Sequence, residues 1–385
     1  MNIVQVIPSL SVGGAERVAA LLALAQHRAG DQVSLVSLFD AEGSWIEDEL
    51  RELGVPLRFQ GKRPGLDLRV IPRLARTLRE LAPDVIHTHL HVLKYVVAAR
   101  RLARCRAPVV HTVHNMADRE AEGFDLTLSR VAFRRSVVPV AIGDEVARSI
   151  GELYGVEPRW TVPNGIVVAD FAPRPGVRQA TREALGIGPD VPVLITAGRL
   201  NTQKNHAGML QAFADPRLTE AGALLLIAGD GDLRADLEAQ AATLSLGDRV
   251  RFLGVVANLP DLLAAADAFV LSSGWEGYPL VIMEAMAAGK PIVSTSVGCL
   301  SELVSPATGA LVEPGDMQGL ADALAALTAD PVRARVMGEA GAAVAAERFD
   351  VSTMARAYHA LYEAELAGGN RRRCCGLAGR RGASS

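Results

Sequence analysis

Cysteine is rare in this chain, and its four copies, Cys105, Cys299, Cys374 and Cys375, lack the paired spacing of a zinc site or a disulfide framework. A reducing cytosol is the simplest home. Long apolar runs are lacking as well: none reaches the ~18 residues of a membrane span. Met1 leads directly into strand-like residues without a basic leader region, so the expectation is a protein neither exported nor membrane-spanning. The full G-x-G-x-x-G spacing of a dinucleotide site is also missing after the first strand, where only Gly13-Gly14-Ala15-Glu16 stands. That leaves a dehydrogenase without its phosphate loop.

What is present is the composition of a globular protein, 49% hydrophobic and 22% charged over 385 residues. That length accommodates two domains with full cores. The net charge is −3, yet residues 51–135 carry 17 Lys or Arg against 8 Asp or Glu, which makes the first half basic. Solvated helix faces are the ordinary reading of such a bias, and an anionic acceptor or membrane face is the other.

Short β-rich apolar runs alternate with amphipathic stretches, which points to an α/β fold with parallel sheets flanked by helices. In the first half the pattern predicts strands at 3–7, 32–38, 85–88, 109–113 and 137–142, with helices such as 15–29 and 70–81 between them. Residues 160–192 are dense in Pro and Gly and read as a connecting stretch, with 166–190 as the linker proper. A second α/β series follows, with strands near 193–197, 224–228, 249–253, 268–271 and 291–294. The expected architecture is two Rossmann-like doubly wound domains facing a central cleft, 1–165 and 191–349. An amphipathic helix at 350–367 is expected to pack back on the first domain. Residues 368–385, with Arg371, Arg372, Arg373, Arg380 and Arg381 and no acid, read as a disordered basic tail.

The stretch from Trp275 to Gly289 carries the strongest chemical signal. Glu276 precedes a helix opened by Pro279 and ended by Gly289, and Glu284 lies inside it. The free N–H groups of a first helical turn favour an anion. At ~1.5 Å per residue the two carboxylates should stand on the order of 10 Å apart, too far for the ~5 Å pair of a retaining glycosidase. That separation suits the two ends of a nucleoside diphosphate-sugar: sugar hydroxyls at one carboxylate, ribose hydroxyls at the other.

Upstream, strand 193–197 runs into Gly198-Arg199 and reaches Lys204, placing two cations at the carboxyl edge of the second sheet, where α/β proteins bind ligands. Arg199 grips phosphate oxygens as a fork and Lys204 adds a mobile point charge, so both are candidate diphosphate ligands. Gly229 closes another strand in a Gly-Asp-Gly turn, which alone means only a tight connection. Five histidines, His87, His89, His91, His111 and His114, gather at two strand ends. No acid completes a metal-ligand set at the usual spacing, so no metal is expected, and satisfied structural histidines are the ordinary reading. His114 is singled out because it follows a strand's carboxyl end, in reach of a reacting sugar.

Together these residues resemble the retaining glycosyltransferases of family four, which have the GT-B fold. The likeness runs through Gly13 and Gly14, His111-Thr112-Val113-His114, Pro163-Asn164-Gly165-Ile166, Gly198-Arg199 with Lys204, Gly229-Asp230-Gly231, Phe252-Leu253-Gly254, the Glu276-x7-Glu284 pair and a closing helix with Tyr358 and Tyr362. It departs at Val167, Cys299 and Asn115. The resemblance implies a hexosyltransferase whose second domain binds the donor: Glu276 on the sugar, Glu284 on the ribose, and the Gly277-Tyr278-Pro279-Leu280 segment, through the backbone N–H groups of all but the proline, with Arg199 and Lys204 on the diphosphate. Gly229 is expected to join the donor site, and Gly13, Gly14 and Asn164 to line the acceptor side. It implies no cofactor and no metal, a UDP-sugar before a GDP-sugar, and a glycan or lipid-linked saccharide acceptor in bacterial polysaccharide or lipopolysaccharide biosynthesis. A cytoplasmic protein, peripheral at an anionic membrane and without nucleic-acid partners, is expected. Two other readings stand beside it: a nucleotide-sugar epimerase of related architecture, and a non-catalytic subunit that binds a sugar nucleotide.

Overall fold

The computed structural model of the chain describes residues 1–11, 13–120 and 123–378, with the backbone alone at 124 and 369–378. It divides into two compact units, one formed by Met1–Gly165 with the segment from Val351 onward, the other by Ile166–Asp350.

Among the described residues the first unit holds one parallel seven-stranded sheet: β1 (Asn2–Ile7), β2 (Gln32–Ser37), β3 (Leu57–Phe59), β4 (Val85–His89), β5 (Val109–Val113), β6 (Val137–Ala141) and β7 (Trp160–Thr161), in the order β3-β2-β1-β4-β5-β6-β7. The second holds β8 (Val193–Ala197), β9 (Leu224–Ala228), β10 (Val250–Gly254), β11 (Ala268–Leu271), β12 (Ile292–Thr295) and β13 (Gly309–Val312), in the order β10-β9-β8-β11-β12-β13. The central strands are apolar on both faces because helices cover both; Ile3, Val4, Val6 and Ile7 of β1 are fully buried. In each sheet the winding reverses once, between β1 and β4 and between β8 and β11. Loops leaving the carboxyl ends of those strands splay apart there and leave a ligand crevice.

Two expectations need correction. Residues 166–190 are not a bare linker: they carry helices Val168–Phe171 and Val177–Ala184 and belong to the second unit. Arg178 and Arg182 hold the longer of these to the end of helix Leu259–Ala265. Arg182 Nε donates to Ala265 O (2.9 Å), Arg178 Nη1 to Ala265 O (3.0 Å) and Ala266 O (2.9 Å), and both guanidinium groups pair with Asp267. Cations at a helix carboxyl end satisfy its orphan carbonyls and its dipole. The closing helix, read from sequence as 350–367, runs Val351–Ala378 and so continues through Gly368, where a disordered tail was expected. Residues 379–385, with Arg380 and Arg381, lie outside the described residues. No helix among the described residues is long and apolar enough to cross a membrane.

Gly165 shows why the Pro-Asn-Gly-Ile segment needs its glycine: a Cβ there would stand 2.9 Å from Val351 Cα. Within the second unit, the Ile166 N–H donates to Phe349 O (2.8 Å).

Candidate active site

In the second unit the loops after β8 and β11 flank the winding reversal and are stitched together. Gly274 N–H donates to Gln203 O (2.8 Å), and Ser272 Oγ donates to the carbonyls of Lys204 (2.9 Å) and Asn205 (3.0 Å). Asn201 caps the short 3-10 turn Thr202–Lys204, accepting the Lys204 N–H at 3.2 Å, which fixes where the lysine side chain starts. Lys204 Nζ then lies 2.7 Å from Glu276 Oε1. Glu276 is 5% exposed and its oxygens are further occupied: Ser273 Oγ donates to Oε1 (2.6 Å) and Gln203 Nε2 to Oε2 (3.5 Å).

Sequence placed Lys204 on the diphosphate and Glu276 on the sugar, and the two side chains are paired with each other. Arg199 stays exposed on the same loop and outside this pair. Beside Lys204, burial holds His206 down at about 4 and keeps it neutral.

Glu276 leads through Gly277 and Tyr278 to Pro279, which caps helix Leu280–Ala287 from outside with φ −71°. No side chain caps this helix, whereas Asp215, Asp316 and Asp330 each cap their own helix. Glu284 sits within the helix and is 1% exposed. Tyr278 packs edge-on to Phe349 with centroids 6.3 Å apart, and the Gly277 carbonyl accepts the Cys299 N–H at 3.2 Å. The loop after β12 therefore buttresses the Glu276 loop, a support that sequence reading missed because its signal, Gly298, lies 22 positions away.

Gly229 has a structural reason of its own. Its Cβ would fall 1.9 Å from Gly198 O, and one on Gly231 would fall 2.4 Å from Leu200 O. The glycines let the loops after β8 and β9 lie flat on one another, joined by Gly198 N–H to Ala228 O (2.9 Å) and Leu200 N–H to Asp230 O (3.0 Å).

In the first unit Gly13 is the extended N-cap of helix Gly14–Arg28, its carbonyl accepting Arg17 N–H. A Cβ on Gly14 would meet nothing within 4 Å. Asn164 is buried. The histidines at the carboxyl ends of β4 and β5 form one buried network. His87 Nε2 lies 2.7 Å from Thr112 Oγ1 and its Nδ1 2.7 Å from Tyr362 Oη, while Tyr358 Oη reaches the same threonine at 2.7 Å. The closing helix is thereby bound to the sheet through two hydroxyls. His89 Nδ1 lies 2.9 Å from His114 Nε2. With its amide turned so that the nitrogen donates to Ala19 O and His89 Nε2, Gln5 satisfies both its ends. His89 then carries its proton on Nδ1, donates to His114 Nε2, and leaves Nδ1–H as the remaining donor of His114. Burial holds His114 down at about 4, and His87 and His89 well below the usual histidine range.

His111 faces elsewhere. Thr88 Oγ1 donates to Val110 O (3.0 Å) and so accepts from His111 Nδ1 (2.9 Å), which turns the Nε2 lone pair of neutral His111 toward Glu120 Oε1 at 3.8 Å. Glu120 Oε2 accepts the backbone N–H of His114 (2.7 Å) and Asn115 (3.2 Å). Burial pushes Glu120 up to about 7 against those two bonds. Sequence reading passed over Glu120; its spacing from His114 carries no motif.

Two family models together span most of the chain: Glycosyltransferase Family 4 over residues 12–170 and Glycosyl transferases group 1 over residues 177–344. The chain is 31% identical to N-acetyl-alpha-D-glucosaminyl L-malate synthase of Bacillus anthracis, covering 78% of this chain and 79% of that one. The chain belongs to glycosyltransferase family 4. It is a glycosyltransferase with the GT-B arrangement of two Rossmann-like domains. A further relative, at 29% identity over 75% of this chain and 77% of its own, is UDP-Gal:alpha-D-GlcNAc-diphosphoundecaprenol alpha-1,3-galactosyltransferase of Escherichia coli. HepE of Anabaena, solved in complex with UDP, shares the fold with a TM-score of 0.82 and 24% identity, over 94% of this chain and all of that one.

Proposed function

We propose that this glycosyltransferase moves a hexosyl or N-acetylhexosaminyl group from a nucleoside diphosphate-sugar to a glycan or lipid-linked saccharide in bacterial surface polysaccharide biosynthesis, with retention at the anomeric carbon. The observation that carries the reading is the Lys204–Glu276 pair at the winding reversal of the second sheet, eight residues before the buried Glu284. A diphosphate draws Lys204 off Glu276, and the freed carboxylate accepts sugar hydroxyls. Arg199 and the first amides of helix Leu280–Ala287 take the remaining phosphate charge, and Glu284 takes the ribose. These cations supply the positive charge the departing diphosphate needs, so the reading calls for no metal and no cofactor.

Glu276 is a poor nucleophile in such company, because Ser273 and Gln203 go on drawing on its lone pairs when Lys204 has left and the sugar hydroxyls take the rest. Transfer then passes through an oxocarbenium-like state: the bond from the anomeric carbon to the phosphate oxygen breaks, the acceptor oxygen bonds on the same face, and the leaving phosphate takes the acceptor proton. His114 is assigned to the reacting sugar through its Nδ1–H, and Gly13, Gly14 and Asn164 to the acceptor side. A relative named for UDP-Gal supports a UDP-sugar first. A relative of Corynebacterium glutamicum named as a GDP-mannose-dependent mannosyltransferase keeps GDP-mannose second. On this reading the transfer takes place in the cytoplasm, at the inner face of the membrane.

Calorimetric titration of UDP-, GDP-, ADP- and TDP-sugars into the protein, with Glu284→Ala as control, tests this. One donor class should bind selectively and be lost in the variant. Binding of none, or binding unchanged in the variant, would sink the reading.

A further inference from the structure

Between β3 and helix Val70–Leu81 the chain makes a loop built around Asp67. The Asp67 side chain is turned inward: Oδ2 accepts the Arg63 N–H (3.1 Å), and Oδ1 accepts both the backbone N–H (3.1 Å) and Nε (3.0 Å) of Arg69. Its own N–H donates to the Tyr95 hydroxyl at 3.3 Å. Lys62 Nζ closes the other side, donating to Arg63 O (2.9 Å) and Gly65 O (2.7 Å) while resting 4.3 Å from the Phe39 ring centroid. A loop bonded this fully has a fixed shape. Yet that shape holds Leu66 and Leu68 outward, 69% and 62% exposed.

The surroundings are predominantly basic. Arg63, Arg69 and Arg73 at the loop and Arg76 a turn further along the helix are exposed, Asp67 is buried and engaged by Arg63 and Arg69, and the exposed Asp40 lies with Arg73 beside Gly61. Two apolar side chains at the tip of a rigid loop, with the guanidinium groups of Arg63, Arg69 and Arg73 near them in the chain, match a surface with phosphates outside and hydrocarbon beneath. A soluble polyanion would engage the arginines and leave the leucines in water.

We propose that this loop seats the protein on an anionic lipid bilayer, with Leu66 and Leu68 entering the boundary between headgroups and acyl chains and the arginines meeting lipid phosphates. The loop leaves the carboxyl end of β3, the same sheet edge from which His89 and His114 project. A bilayer held there brings a lipid-linked saccharide to that edge. The inference extends the proposed acceptor class without resting on it, since membrane binding is read with no donor or acceptor present.

The test is cosedimentation of the full chain with phosphatidylglycerol–phosphatidylcholine vesicles and with pure phosphatidylcholine. Binding to the anionic vesicles is expected, weakening as salt rises. Leu66→Ser with Leu68→Ser should lower it at least about tenfold at unchanged melting temperature, and Arg73→Gln with Arg76→Gln several-fold. A Leu66→Trp variant gives an independent reading: its fluorescence, less that of the parent, should shift to the blue on anionic vesicles. Indifference of the full chain to anionic vesicles, wild-type affinity in the double leucine variant, or an unshifted difference spectrum from the tryptophan variant would each overturn the proposal, the first leaving a soluble anionic partner for the arginines and the last two adsorption by charge alone.

Discussion

Gly298 faces Glu276 so closely that a Cβ there would stand 2.0 Å from the Glu276 carbonyl oxygen, and its φ of +53° lies in the left-handed region. Any side chain meets backbone on one side and torsional strain of ~1–2 kcal/mol on the other. Relief requires the Glu276 loop to move, and a displacement of about 1 Å at a positioning residue costs on the order of a hundredfold in rate. Gly298→Ala is therefore expected to lower both the melting temperature and kcat/KM, with weaker donor binding. A variant with wild-type donor affinity would show that this contact is not what places Glu276.

Lys204 and Glu276 should be coupled more strongly than either is to its other neighbours. Both are largely shielded from water, so removing one leaves the other charge poorly compensated. Lys204→Met and Glu276→Gln should each destabilise the unliganded protein, with a double-mutant coupling of ~1–3 kcal/mol in urea denaturation. Both should also lose donor binding, because the pair is taken apart by the ligand. Additive stabilities would mean the pair is incidental to the fold.

The central strands were legible in sequence because burial on both faces writes them as unbroken apolar runs: 193–197, 224–228 and 268–271 are observed with those bounds. Three of the four edge strands, β3, β7 and β13, were not. They span two to four residues, are largely half-exposed, and exist only through pairing with a distant neighbour. The same distinction holds in the site. Glu276 and Glu284 share one short segment whose pattern announces them, whereas Lys204 meets Glu276 across 72 residues and two loops. Gly229 was readable as a turn, but its reason, contact with Gly198 O, is tertiary. Glu120 and Gln5 act by holding histidines, and nothing in a linear pattern marks a residue whose partners are backbone groups, ring nitrogens and side chains distant in sequence.

Acid should unfold this protein through its histidines, with Glu120 pulling the other way. His111 and His114 are held at about 3 and 4, His206 at about 4, and His87 and His89 well below the usual range, all first by burial. Each takes up a proton on unfolding, at ~6.5, so its stabilisation is complete above that pH and is lost as the pH falls toward the folded value. Glu120, raised to about 7, does the reverse. Its protonated folded form is favoured, so stability falls as pH rises from ~4.5 to about 7. Five histidines outweigh one carboxyl, and net stability should drop on acidification below ~6.5. Glu120→Gln removes only the opposing slope. Relative to the parent, the variant should gain up to ~1.4 kcal/mol per pH unit between ~4.5 and 7 in urea denaturation. Parallel curves for the two proteins would mean Glu120 is ionised throughout.

Arg182 offers the converse case, a residue on which folding depends and chemistry does not. It is 3% exposed, and its guanidinium donates to the carbonyls of Ala265, Gly188, Pro189 and Val191 and to Asp267 Oδ2. Asp267 Oδ2 in turn accepts the Val193 N–H, the first of β8, at 2.8 Å. Removing the guanidinium takes a donor from four carbonyls at once, and although Ala265 O and Asp267 keep Arg178, each buried carbonyl left unsatisfied costs ~1–3 kcal/mol. All of these groups lie at the amino edge of the second sheet or the end of helix Leu259–Ala265, away from the carboxyl edge that holds Lys204 and Glu276. Arg182→Ala should therefore melt well below the parent while its folded fraction binds donor with unchanged affinity. Arg182→Lys should recover part of the stability but not all, since a single ammonium cannot serve five acceptors spread around a planar fork. If Arg182→Ala instead weakened donor binding at a temperature where it is fully folded, the two edges of the sheet would be coupled, and the separation drawn here between scaffold and site would be wrong.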